Sequence, residues 1–140
     1  MIQTDILLPT AAMMLLVVLV AARMLRDRMV EMKVRRIHPG KVSGSSQMNV
    51  LLLNTRASDN YKNLFEMPVL FYVLCLALYV TESANEFYLA AAWVYVALRV
   101  VHSFIHLTYN NVLQRFAAFA ASALLLVGMW SCFALTLLRG

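Results

Sequence analysis

The stretch Arg56–Pro68, RASDNYKNLFEMP, is the most polar part of a very apolar chain. It runs without a break into a lipid-grade segment, Val69 to Val80. On a helix at about 100° per residue, with Arg56 at zero, Asn60 falls at about 40°, Asn63 at about 340°, Asp59 at about 300° and Glu66 at about 280°. Five polar groups thus share about a third of the circumference, at and just inside a membrane boundary. Hydrocarbon offers such a stripe no partner, so it must face protein, water or a ligand. What the stripe holds is the functional question.

The surrounding chain sets the solvent. Its 140 residues are 62% hydrophobic, with mean hydropathy +0.72. A chain this small cannot hide so much apolar surface in its own core. Lipid is therefore expected to cover much of it, as a single domain spanning 1–140. Cys75 and Cys132 both fall in apolar segments without metal-ligand spacing and read as small buried hydrophobes. The start of the chain has no basic region before its apolar run, so it reads as a retained anchor, not a cleavable signal.

The net charge is +5, and its distribution is more informative than its size. Seven of the twelve Lys and Arg lie between Arg23 and Lys41. In a membrane chain such a cluster sets topology and meets anionic headgroups. No nucleic-acid partner is expected.

Four spans follow, at about 6–34, 47–80, 87–108 and 111–138, giving an all-α integral membrane four-helix bundle. Pro9 sits in the first turns of the first helix, where a missing N–H is tolerated. Toward its end, Asp27 and Glu31 are spaced to pair with Arg23 and Arg35 at i, i+4. His38 to Ser46 is a loop marked by Pro39-Gly40 and by a Ser/Gly run. The basic segment 35–46 belongs on the cytoplasmic side, with both termini outside. The second helix should begin near Gln47, and Pro68 should bend it or free a carbonyl near Leu64. Thr81 to Glu86 is a short acidic outer turn. Tyr88, Trp93 and Tyr95 fall in the outer half of the third span, and some of them are expected as interface-belt aromatics. The short link Tyr109–Gln114 makes helices three and four antiparallel neighbours.

The third span carries a second polar stripe. With Arg99 at zero, His102 lies at about 300°, Ser103 at 40°, His106 at 340° and Asn110 at 20°. Arg115 opens the fourth span and continues this face through Ser122. Both stripes fall in the same half of the bundle and can meet in one polar cavity. A buried Arg costs about 2.5–3.5 kcal/mol even on mild insertion scales, so Arg99 needs an acid or an anionic ligand. Two readings stand. One is a closed network, Arg99 with Glu66 or Arg56 with Asp59. The other is an anion site, because Arg56, Arg99 and Arg115, with Arg23 or Arg26 as additions, outnumber the two acids. His102 and His106 are read as hydrogen-bonding groups and not as a metal pair, since they lack a third ligand and have Arg neighbours that repel cations.

Taken in order, Arg-x-x-x-Asn (Arg56, Asn60), Glu66 and Pro68, then Arg99-Val-Val-His102, His106 and Arg115, resemble the MAPEG proteins. These are the integral membrane glutathione transferases, prostaglandin E synthase and leukotriene synthases. The resemblance covers nearly the whole chain. It implies a homotrimer with glutathione held between protomers in the cytoplasmic half. Arg56, Asn60, Glu66, His102 and Arg115 match glutathione-holding positions, and Arg115 matches the position that lowers the thiol's pKa. Arg99 and His106 join the candidate set from the second stripe. The family's Asn and Glu stand three apart, a spacing met by Asn63 and Glu66, so Asn60 or Asn63 is the equivalent. His106 stands where the synthases have Tyr, and Phe116 where the prostaglandin enzyme has Ser. Asn60 to Tyr72 is similar to a bacterial branch of the family, which implies a bacterial inner membrane.

The expectation is a glutathione-dependent transferase or peroxidase acting on a lipophilic electrophile from the bilayer. The alternative is a non-catalytic bundle that binds a lipid or a protein partner.

Overall fold

The computed structural model describes residues 2–38, 40, 44 and 51–139, and all its regular elements are helices. They are α1 (Ile2–Asp5), α2 (Leu8–Val34), α3 (Arg56–Asn63), α4 (Met67–Val80), α5 (Glu86–Leu107) and α6 (Val112–Arg139). Four stretches are long and apolar enough to cross a membrane: Gln3–Val34, Arg56–Val80, Glu86–Leu107 and Val112–Arg139.

Turns fall at the start of the first expected span and inside the second. The first turns at Ile6 and Leu7 before resuming as α2, with Pro9 in its first turn. The second differs more from the single helix expected over 47–80. Residues 52–55 are not helical, and Leu64 to Glu66 form a turn between α3 and α4. Residues 47–50, where that helix was expected to start, lie outside the described residues, as do Pro39 and most of the Ser/Gly loop. The break after Asn63 follows from Pro68. Its ring collides with the carbonyl four residues back and it offers no N–H, so the helix can restart only with Pro68 in its first turn. Glu66, the residue before α4, leaves helical geometry at φ −98°, ψ −100°.

The core lies along the inner faces of the four spans. Met13, Val17 and Val20 of α2 share one buried cluster with Phe71, Leu74 and Leu78 of α4, Tyr95 of α5, and Leu126, Met129 and Phe133 of α6. Ala91 and Ala92 on α5 let the helices approach closely, as small residues do in lipid. Phe71 stacks on Tyr95 at 4.4 Å and 17°. Tyr88 and Tyr95 are therefore core residues and not belt residues, while Trp93 does face outward. Cys75 is buried as expected, but Cys132 is exposed on α6, since its position on the helix faces away from the core. Large apolar side chains such as Leu15, Leu19, Val73, Leu124 and Leu135 are exposed, as a lipid-solvated bundle requires.

Polar contacts fix the ends of the bundle. Gln3 donates to the Glu82 carbonyl at 2.7 Å, tying α1 to the α4–α5 turn. Asn85 caps α5 by accepting the Tyr88 N–H at 3.1 Å. At the other end the Glu31 carboxylate accepts the N–H groups of Leu53 (2.7 Å) and Asn54 (3.2 Å). It also accepts from Arg35 at 3.2 Å, and Arg35 donates to the Leu51 carbonyl. Arg28 donates to Ser58 at 2.8 Å. One face of α2 thus carries the segment that leads into α3. Arg23 pairs with Asp27 at 2.9 Å, so both expected i, i+4 pairs form.

Candidate functional site

The polar stripes meet where α3 crosses α5. The inner face of α3 is Ala57, Asn60 and Leu64, all buried. Asn60 is fully buried and its Oδ1 accepts the Ser103 hydroxyl at 3.2 Å. Asn63, one turn on, is half-buried and lines a cavity of about 230 Å³ with Glu66, His102, Val112, Arg115, Phe116 and Phe119. The two asparagines therefore have different surroundings. Asn60 is locked into the bundle, and Asn63 faces open space beside Glu66.

The break in the second span has a direct consequence here. With α3 ended at Asn63, its main-chain carbonyl is free to accept Arg99 Nη2 at 3.0 Å. Arg99 is fully buried, and its guanidinium carbon lies 5.8 Å from the Phe119 ring centre. Its Nε and Nη1 have no hydrogen-bond partner among the described residues. Among the described residues, ion pairs form only at Arg23–Asp27 and Glu31–Arg35. The closed network of Arg99 with Glu66, or Arg56 with Asp59, is not made.

Arg115 is positioned by the loop that reverses the chain. Asn110 adopts φ 50°, a left-handed conformation that Asn tolerates, and its N–H closes the end of α5 on the Ile105 carbonyl at 2.8 Å. The Asn110 Oδ1 then accepts Arg115 Nη1 at 2.8 Å. The same Nη1 lies 3.1 Å from His106 Nε2. Arg donates only, so this ring nitrogen accepts and His106 is neutral with its proton on Nδ1. Both Nη1 hydrogens are thereby committed, and the remaining guanidinium donors are left for the cavity. His102 Nδ1 lies 3.1 Å from the Arg115 carbonyl, which can only accept, so the proton sits on Nδ1. Among the described residues, His102 Nε2 is buried without a hydrogen-bond partner, as are His106 Nδ1 and Asn60 Nδ2.

His102 and His106 face each other edge to face, 5.8 Å apart. Among the described residues no third His, Cys, Asp or Glu joins them, and His106 Nε2 is already engaged by Arg115.

Arg56 stands apart. It is exposed, donates to the Thr108 carbonyl at 2.9 Å, and lines a separate cleft of about 340 Å³ with Arg23, Asp27, Leu53, Asn54 and Leu107. Within one chain the structure brings together Asn63, Glu66, His102 and Arg115 around one cavity. Arg99 and His106 lie behind it, Asn60 is in the bundle, and Arg56 is in another cleft. Sequence reasoning missed Phe119, which walls the cavity and covers Arg99. Its place one turn after Arg115 was the available signal.

A family model described as the MAPEG family matches residues 6–135. No curated protein and no solved structure matches the chain.

Proposed function

The chain belongs to the MAPEG family, and on that premise we propose that it binds glutathione and joins it through sulfur to, or uses it to reduce, a lipophilic electrophile drawn from the bilayer. The observation that carries this reading is the state of Arg115. One of its nitrogens is fully committed to His106 and Asn110, and the rest of the guanidinium is held toward a cavity shared with Asn63, Glu66 and His102. A cation held beside a thiol favours the thiolate, which is the nucleophile. In a transfer, the thiol proton leaves to water, the thiolate sulfur forms a bond to the electrophilic carbon, and that carbon's leaving group departs with the displaced electron pair.

Glutathione brings two carboxylates and one ammonium. Glu66 suits the ammonium. The Arg residues, unmatched by acids in the site, suit the carboxylates. We assign Arg115 the catalytic role, and Arg56, Asn60, Asn63, Glu66, Arg99, His102 and His106 to binding or to holding the site. Arg56 lines a different cleft from Arg115, so in this reading a neighbouring protomer of a homotrimer completes each site. The basic segment 35–46 is assigned to the cytoplasmic side of a bacterial inner membrane, and accessibility labelling that placed it outside would overturn that assignment. A non-catalytic bundle is the competing reading, favoured by the apolar Phe116 and Phe119 in the cavity wall.

The test is a glutathione titration of the purified protein in detergent, following thiolate absorbance and melting temperature together. Saturable binding with a thiolate signal that disappears in Arg115→Ala supports the enzyme. Absence of binding at millimolar glutathione sinks it.

A further inference from the structure

The far end of α2 carries a feature that the glutathione reading does not use. α2 closes in a paired-bond cap: the Ile37 N–H donates to the Met32 carbonyl at 2.9 Å and the Arg36 N–H to the Lys33 carbonyl at 3.3 Å. This geometry places Arg36 in the left-handed region at φ 53°, a position where glycine is the favoured residue. A long cation held there instead is a strained choice. Below it lies a cavity of about 300 Å³ lined by Met29, Met32, Lys33, Arg36 and Ile37. Its floor is apolar, and Lys33 and Arg36 stand exposed at its rim.

The charges and the apolar track agree on an occupant. Neither Lys33 nor Arg36 has an acidic partner among the described residues. The nearest acid in sequence, Glu31, is turned about 200° from Met29 and is consumed by Arg35 and by the Leu53 and Asn54 amides. The carbonyl end of α2 would repel an anion, but the Glu31, Met32 and Lys33 carbonyls already accept the N–H groups of Arg35, Ile37 and Arg36. From Met29 an exposed apolar stripe runs back into the span through Leu25 and Val18, within about 40° of the same helix face. Two unpaired cations above an apolar track match a phosphodiester with acyl chains beneath it.

We propose that this groove binds one anionic phospholipid, its headgroup phosphate between Lys33 and Arg36 and its acyl chains along Met29 and Leu25. The proposal rests on the membrane-spanning fold alone and stands or falls independently of glutathione.

The test compares delipidated protein in detergent given phosphatidylglycerol, phosphatidylcholine of the same chains, or inorganic phosphate. Retained lipid is counted by native mass spectrometry, and melting is followed in parallel. Preferential retention of phosphatidylglycerol is expected, with phosphate alone giving no stabilisation. Lys33→Gln and Arg36→Gly should each weaken it about fivefold. Arg36→Gly should also melt higher than the wild type without lipid, because glycine relieves the left-handed strain. Equal retention of the two lipids, unchanged phosphatidylglycerol affinity in both variants, or stabilisation by phosphate alone would each overturn the proposal. So would disulfide crosslinking between chains through Met29→Cys, which would make this face a subunit interface.

Discussion

Two polar regions lie within a few turns of each other and treat their charges in opposite ways. Along the face of α2 that meets the segment 51–58, polar groups are matched. Arg23 holds Asp27, and Glu31 holds two amides and Arg35. Where α3 meets α5, donors are buried without acceptors among the described residues: Arg99 Nε and Nη1, and Asn60 Nδ2. Leaving such groups unpaired costs about 1–3 kcal/mol each, more when charged. Matched groups hold the chain in place. Unmatched ones mark where something outside the chain completes the hydrogen bonding, or where stability has been given up for a site.

The sharpest way to break this contrast is at Arg115. Arg115→Ala should abolish the thiolate absorbance of bound glutathione while leaving the helices intact by circular dichroism. Arg115→Lys should recover only part of it, since an ammonium bound to His106 and Asn110 as Nη1 is lacks the second nitrogen arm that the guanidinium keeps for the cavity. Next is Arg99. Replacing a buried ion pair by apolar residues is often neutral or stabilising by about 1–4 kcal/mol, and a buried cation that has no acidic partner forfeits no ion-pair attraction when it is replaced. Arg99→Met should therefore melt at or above the wild-type temperature without glutathione and lose most of the stabilisation that glutathione gives. A large drop in melting temperature of the ligand-free variant would instead make Arg99 purely structural.

On the matched side the effects should be smaller. Glu31→Ala removes the acceptor of two amides and should cost about 1–3 kcal/mol. Hydrogen exchange should speed up at Leu53 and Asn54 ahead of the rest of the chain. The smallest effect is expected at the exposed pair: Arg23→Ala should change stability by about 0.5 kcal/mol or less. A larger loss there would show that this cleft does more than hold α2.

Much of this was legible in the chain. Apolar runs of membrane length gave four spans, and helical spacing placed Arg99, His102, Ser103 and His106 on one buried face. The i, i+4 spacing foretold Arg23–Asp27 and Glu31–Arg35. The rest failed for local reasons. A stripe drawn on one ideal helix put Arg56 beside Asn63 and Glu66, but Arg56 and Asn63 stand at opposite ends of α3, about 10 Å apart along its axis, and Glu66 lies past the break, so they do not share a groove. Pro68 announced the break, yet nothing in the spacing showed that the Asn63 carbonyl would be captured by Arg99. Which of Tyr88, Trp93 and Tyr95 belonged to the core was not legible, because the partner of Tyr95, Phe71, lies on another helix. Residues distant in sequence, such as Glu31 and Leu53, meet through main-chain amides that leave no side-chain signature.

The capture of Arg99 by a carbonyl has a consequence for how this wall could vary. A main-chain oxygen is present whatever residue occupies position 63. Holding Arg99 therefore makes no demand on the Asn63 side chain, which is left free to answer to the cavity. Substitutions at position 63 can retune what the cavity accepts while the anchor beneath it stays unchanged, so selectivity and architecture can drift separately at a single residue.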